Sequence, residues 1–503
     1  MSAATTPPPP EPAGTLGPNA AAGLVFGSSA AVLVVELVML RLLAPYLGLT
    51  LETSTLVIGL ALTAIAVGSW AGGRMADTVP PRRTLGPLLA LSGVAVALTP
   101  VLVRVTGSSG DAGLLLLVAT LAMFVPGAAL SAVTPIVTKL RLTSLHETGT
   151  VVGRLSAIGT AGAIAGTVLT GFVLITHVAV SGILVGLGVL LVLASVAVAA
   201  GASGRRASAV AAAVVLLGGV AAAAAPGGCD AETVYHCASV LPDPDRDAGR
   251  TLVLDGVRHS YVDLDDPTYL HFEYVQAIAS VVDTAFPEGA ALQAYHLGGG
   301  GLTLPRYLDR VRPGTNSVVS EIDGGVVSID RDRLGLETGN GIEVRVEDGR
   351  LGLQRLDDHS RDLVVGDAFG GISVPWHLTT REAMTEVRRV LTAEGMYVAN
   401  LIDHGPLAFA RSAVATLRDL FDHVALTASP ATLSREGGGN LVVIASDSPV
   451  DVGAVSARLD DRGTGWEMIT GAELDDWVGD AQVLTDDHAP VDQLLTPYAE
   501  PAS

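Results

Sequence analysis

Long apolar runs fill the first 226 residues of the chain, whereas the remainder alternates short apolar runs with glycine, proline and acids. Segments near 20–43, 51–73, 84–106, 112–138, 151–176, 178–200 and 207–226 each reach the roughly 20 residues that cross a bilayer as helix. The pattern predicts an α-helical multi-pass membrane domain over 20–226 with about seven spans, its least distinct joint at Thr176-His177. Pro126 and Pro135 are expected to kink the fourth span, because proline removes a helical N–H and crowds the preceding turn. Gly68/Gly72 and Gly162/Gly166 have the spacing that lets helices approach closely. Residues 1–19 are Pro-rich and lack the basic start of a signal peptide, so they read as a disordered leader.

Past residue 229 the period shortens. Alternating runs between Glu232 and Val262, broken at Pro242-Asp-Pro244 and Asp255-Gly256, predict a small β-hairpin domain over 229–266. Residues 267–495 then alternate helices (267–284, 379–392, 406–421) with strands (342–346, 362–365, 396–401, 423–428, 440–445), which predicts a doubly wound α/β sheet. At its centre an apolar run from Ala291 to Leu297 empties into Gly298-Gly-Gly-Gly301, and a second run, Val318-Val-Ser-Glu-Ile-Asp323, follows a helical segment. This is how a βαβ unit presents itself to a nucleoside-bearing ligand: glycines let backbone come close, and an acid about twenty residues on receives the ribose hydroxyls. Glu321, Asp348 and Asp367 are each expected at or just past the carboxyl end of a strand, the edge where open α/β sheets bind ligands. There the first can accept hydroxyl protons and the second an exocyclic amine. Asp367, facing the reacting centre, can orient or deprotonate an attacking amine.

Charge divides the chain in the same place. Residues 1–226 carry ten basic and six acidic residues, and 227–503 carry 20 and 45, a net charge of −25. A surface so acidic repels nucleic acid; it suits cations, polyamines or plain solubility equally. Lys139 is the sole lysine, which removes Walker-type loops and Schiff-base chemistry from the second half. With only Cys229 and Cys237, a CxxC metal site is excluded, and no cluster close enough for a metal is evident. Glu36 lies inside the first span, where an acid is either functional or paired, here with Arg41 or a neighbouring helix. Arg74, Arg82 and Arg83, then Lys139, Arg141 and Arg154, then Arg205 and Arg206 mark alternate loops as cytoplasmic. In a plasma membrane with seven spans, that places the second half outside. A Cys229/Cys237 pair able to oxidise agrees with it, although cosubstrates of the expected kind are made in the cytosol.

Together, Leu254-Asp-Gly-Val257, Leu297-Gly-Gly-Gly-Gly301, Glu321-Ile-Asp-Gly-Gly-Val-Val327, Glu347-Asp-Gly349 and Asp367-Ala-Phe369 resemble the successive motifs of spermidine synthases, the polyamine aminopropyltransferases. Val374-Pro-Trp-His-Leu-Thr-Thr-Arg-Glu382, Leu484-Thr-Asp-Asp-His-Ala-Pro-Val491 and the apolar spans resemble the membrane-fused branch of that family. The resemblance covers about 230–495. It implies a small β domain followed by a class I methyltransferase-like (Rossmann-like) domain. It further implies decarboxylated S-adenosylmethionine as cosubstrate, no metal, and a putrescine-like amine acceptor. Carried over by position, Gly298, Gly299 and Gly300 back the donor, Glu321 and Asp323 lie at its ribose, Asp348 and Gly349 at its adenine, and Asp367 prepares the nucleophile.

The departures gather on the amine side. Gly301 stands where the family has an Asp after three glycines, and Gly370 replaces the second acid of its Asp-x-x-Asp motif. His259 replaces a Gln, and His271-Phe-Glu273 only loosely matches Tyr-His-Glu; His259 and Glu273 are the remaining substrate-side candidates. Without two carboxylates a dication is held weakly. A methyltransferase using S-adenosylmethionine therefore stays open, as does a transporter or sensor whose nucleoside-binding domain turns nothing over. The acceptor and the oligomeric state stay open too. His377, His404 and the Asp486-Asp487-His488 run are further polar candidates.

Overall fold

Among the described residues, six helices of the N-terminal half are long and apolar enough to span a membrane: Pro18–Leu47, Thr53–Thr78, Pro81–Gly107, Gly113–Arg141, Thr148–Leu174 and Val180–Val198. They belong to a computed structural model that describes residues 16–47, 51–107, 109, 111–142, 147–199, 229–337, 341–371 and 373–496. The seventh expected span, 207–226, lies outside the described residues, as do residues 1–15. Pro18 opens the first helix, a position that suits a residue without an N–H, so the helix takes in the last two residues assigned to the leader. The fourth span breaks between Ala112–Ser131 and Val133–Arg141. Pro135 accounts for the break, since its ring clashes with the carbonyl four residues earlier, at Ser131. Pro126 is accommodated inside the first piece.

Small residues set the helix contacts. A Cβ on Gly68 would come 2.1 Å from the Ala128 carbonyl oxygen, and one on Gly162 would come 2.2 Å from that of Phe26. Close backbone approach is what holds helices together where no hydrophobic drive distinguishes neighbour from solvent. Phe172, Leu190 and Leu62 face outward at 78%, 63% and 60% exposure.

Contacts divide the chain into Met1–Gly228 and Cys229–Ser503. The second unit opens with β1 (Ala231–Glu232), β2 (Cys237–Asp243), β3 (Arg246–Leu254) and β4 (Val257–Asp263), an antiparallel sheet in that order. Turns at Pro244-Asp245 and Asp255-Gly256 join its longer strands, the second with both residues left-handed. Cys229 and Cys237 form a disulfide. Ala238, Val240, Leu252 and Leu254 bury one face of this sheet against Val326 and Ile329 of helix Gly324–Arg333.

An eight-stranded sheet follows: β5 (Gln293–Leu297), β6 (Asn316–Glu321), β7 (Ile342–Val346), β8 (Arg361–Gly366), β9 (Leu391–Asp403), β10 (His423–Ala428), β11 (Gly439–Ser446) and β12 (Glu467–Thr470). Their order is β12-β10-β11-β9-β8-β5-β6-β7. Strands β5 to β9 pair in parallel, whereas β9, β11, β10 and β12 pair antiparallel. The expected doubly wound sheet is therefore mixed, and four-residue β12 was too short to show a period. Alternate residues feed two cores. Tyr295, Leu297 and Val364 face helices Arg381–Val390 and Ala408–Arg418, while Ala294, Leu363 and Val365 face helices Glu273–Ala285 and Thr303–Val311. The helix expected from 267 begins only at Glu273. Before it, His271 stacks on Tyr261 at 4.3 Å between ring centres, which holds that segment out of the helix.

Candidate active site

Register aligns the carboxyl ends of the parallel strands. Leu297 pairs with Ser320 and with Gly366, and Gly366 with Ala399, so the loops after β5, β6 and β8 open on one rim beside Asn400. Gly298 adopts φ +90°, and a Cβ there would lie 2.5 Å from the carbonyl oxygen of Asp367. Only glycine allows the β5 and β8 loops to meet in this way. The Gly299 N–H donates to Glu321 Oε2 at 2.9 Å and the Gly300 N–H reaches the same oxygen at 3.4 Å; the Asp323 N–H donates to Oε1 at 2.9 Å. One carboxylate thus ties the glycine loop to the end of β6.

Asp348 follows β7 and caps helix Gly349–Leu353 by accepting from the Leu351 N–H at 3.0 Å, while its Oδ2 lies 2.8 Å from His377 Nε2. Burial works against ionisation here, but the hydrogen bonds from Leu351 and His377 outweigh it and hold the carboxyl below its usual range. Asp367 follows β8. Its Oδ1 accepts from Asn400 Nδ2 at 2.9 Å and its Oδ2 from the Tyr274 hydroxyl at 3.2 Å. The Asn440 amide in turn donates to Asn400 Oδ1 at 2.9 Å, which turns the Asn400 NH2 toward Asp367. Burial lifts the Asp367 carboxyl to about 6, and the two donors only partly offset it. The Tyr274 phenol is pushed well up by burial and by Asp367, so it stays protonated and donates.

These groups line a cleft of roughly 580 Å³ together with His236, Arg258, His259 and Ser260 of the small sheet and with His271, Phe272, Glu273 and Trp466. Burial, with His236 close by, lowers His259 to about 4 against the pull of Asp255, so its imidazole is neutral near pH 7. The rim offers carboxylates and close backbone to hydroxyl and amine groups, and a half-buried carboxyl with a raised proton affinity to a proton.

No family model matches the chain. It is 29% identical over 155 residues to a polyamine aminopropyltransferase of Vibrio vulnificus (strain CMCP6), 30% of this chain and 50% of that one. It is 26% identical over 284 residues to a probable polyamine aminopropyl transferase of Bifidobacterium longum (strain NCC 2705), 53% of this chain and 61% of that one. Over part of its length the chain is similar to polyamine aminopropyltransferases. The chain spans half to about three fifths of the length of these curated relatives. Among solved structures, a probable spermidine synthase from Corynebacterium glutamicum ATCC 13032 is 28% identical, with a TM-score of 0.49, over 52% of this chain and 97% of that one.

In the C-terminal unit Gly298, Gly300, Glu321, Asp348, Gly349, Asp367, His259 and Glu273 all line the cleft, as does His377. Two expected donor contacts do not. Gly299 turns its N–H to Glu321 and is not among the lining residues. Asp323 is fully buried: its carboxylate caps helix Gly324–Arg333 through the Gly325 N–H at 2.9 Å and accepts from the Thr233 hydroxyl. It joins the two sheets instead of facing a ligand. His404 is also not among the lining residues. Asp486 is bound at both oxygens by Arg350, at 2.7 and 2.6 Å, and Thr485 and His488 close a turn, so that run acts as a latch.

Tyr274, Asn400 and Asn440 went unnoticed in the sequence. Tyr274 directly follows Glu273, and Asn400 sits near the end of an expected strand, but nothing local signals that either meets Asp367. The two missing acids differ in their surroundings. A Cβ on Gly301 would press on Ser260 and Val262, both at 3.0 Å, whereas one on Gly370 would meet nothing nearer than 3.9 Å.

Proposed function

We propose that the chain is a membrane-anchored transferase that moves the aminopropyl group of decarboxylated S-adenosylmethionine onto an amine acceptor such as putrescine. One observation carries the reading. A half-buried Asp367, held by Tyr274 and Asn400, shares a single rim with the glycine loop, Glu321 and Asp348. The names of the curated relatives favour the same class. Glu321 and Asp348 are suited to the ribose hydroxyls and the adenine amine, and the glycine loop to close approach of the donor. Asp367, mostly ionised at pH 7 yet more basic than an ordinary carboxylate, takes a proton from the acceptor ammonium. The freed nitrogen forms a bond to the carbon beside the sulfonium, and the carbon–sulfur pair stays on the departing thioether. Holding both reactants in one cleft supplies much of the rate.

Full-length protein in detergent, given decarboxylated S-adenosylmethionine and putrescine, is expected to release methylthioadenosine in an amine-dependent way. Methylated amine formed from intact S-adenosylmethionine, with no product from the decarboxylated form, would replace this reading by methyl transfer.

We also propose that the N-terminal unit lies in the plasma membrane, which the outward apolar side chains and six long apolar helices support. The alternating basic loops favour an external C-terminal unit, as does its disulfide. The expressed protein should stay with membranes through an alkaline carbonate wash and leave them only with detergent. Recovery in the wash would reject membrane anchoring.

A further inference from the structure

Beyond Asp367 the cleft is walled by the start of β4, by Phe272 and Glu273 and by Trp466. Arg258 is the one arginine or lysine among the described residues lining it. Its guanidinium lies 5.8 Å from the Phe272 ring centre, that ring stacks 6.0 Å from Tyr274, and the Tyr274 hydroxyl reaches Asp367. A continuous wall therefore links the guanidinium to the reacting carboxyl. Arg350, near the same rim, is paired at both nitrogens with Asp486, whereas the exposed Arg258 guanidinium makes no side-chain hydrogen bond or ion pair among the described residues. Exposed at the cleft and without a carboxylate partner among the described residues, this cation is available to an anionic group on a molecule bound there.

The acids that would hold a second ammonium are missing from the same end. Gly370 leaves open space where an acid would stand, and Gly301 is closed off by Ser260 and Val262. Glu273 remains, but its carboxylate accepts from the Trp466 indole at 3.2 Å and sits in the first turn of helix Glu273–Ala285, whose N-terminus already favours negative charge. One carboxyl is thus left for a reacting amine, and one planar, five-donor cation for whatever lies at the other end of the same molecule.

We infer that the acceptor is an amine whose far end carries a carboxylate, with its nitrogen at Asp367 and its carboxylate at Arg258, so that a diamine is the poorer substrate. The inference rests on the aminopropyl-transfer reading. The step is unchanged in its chemistry: the nitrogen gains the aminopropyl carbon and loses a proton to Asp367, and the thioether departs with the carbon–sulfur pair. A guanidinium binds a carboxylate through two parallel hydrogen bonds and repels a second ammonium, so it discriminates by attraction and by repulsion.

The test uses full-length protein in detergent with saturating decarboxylated S-adenosylmethionine. It compares 4-aminobutanoate with 1,4-diaminobutane, which share an amine and a chain and differ at the far end. Methylthioadenosine release should give a kcat/KM about tenfold or more higher for the amino acid. Arg258→Gln should raise the KM for the amino acid by a similar factor while calorimetry shows donor affinity unchanged, and Arg258→Glu should shift preference to the diamine. A wild-type preference for the diamine, or an unchanged amino-acid KM in Arg258→Gln, overturns the inference and leaves aminopropyl transfer standing. Intact S-adenosylmethionine binding more tightly to wild type than to Arg258→Gln would assign the guanidinium to a donor carboxylate and likewise overturn it. Decarboxylated S-adenosylmethionine failing to bind at all would sink both readings.

Discussion

Asp367→Asn is expected to lower turnover about a thousandfold while calorimetric affinity for decarboxylated S-adenosylmethionine stays within a few-fold. The donor's expected contacts are with Glu321, Asp348 and the glycine backbone, so they survive the change. The proton acceptor does not. The same variant should reveal the cost of burying this carboxyl. Burial raises its folded value to about 6, above that of an unfolded aspartate, so its contribution to stability is fully present below about pH 4 and is lost as the pH rises through 6. The loss is on the order of 3 kcal/mol at neutral pH. Thermal unfolding should therefore show Asp367→Asn gaining on wild type between pH 4 and 8. A variant with wild-type turnover would remove Asp367 from the chemistry, and identical pH profiles of stability would show that its carboxyl is not strained by burial.

Gly298→Ala should be nearly as damaging for a different reason. The substitution forces a side chain into φ +90° and sets its methyl 2.5 Å from the Asp367 carbonyl oxygen. Strain and the forced separation of two loops together should cost about 3 kcal/mol and abolish measurable donor binding. Gly371→Ala is the control: its φ is +79°, but nothing lies within 4 Å of the new methyl, so only conformational strain of about 1 kcal/mol is expected. Scanning calorimetry and donor titration read both variants. Normal donor affinity in Gly298→Ala would mean that the close approach of the β5 and β8 loops does not shape the site.

Much of the site was legible because its signals are local. A strand that empties into Gly298 must turn with unusual dihedrals, and acids that follow apolar runs at 321, 348 and 367 fall at strand ends whichever neighbours those strands choose. The Glu321/Asp323 distinction was not legible. Both acids stand just past β6, and what sets them apart is Thr233, ninety residues away, whose hydroxyl captures Asp323. The donors to Asp367 were hidden for the same reason. Tyr274 lies in the first turn of a helix on one face of the sheet, and Asn400 and Asn440 come from two strands whose antiparallel pairing no single run of sequence announces.

The order of apolar and polar residues determined by itself where long helices give way to a sheet, which loops must be glycine, and which ends of strands carry acids, since each depends on neighbours a few positions away. Tertiary structure alone decided which acids face open space and that Asp367 sits half-buried beside a phenol and an amide. Those properties arise from groups far apart in the chain brought within hydrogen-bond distance, where the loss of water makes each remaining charge and donor count for more.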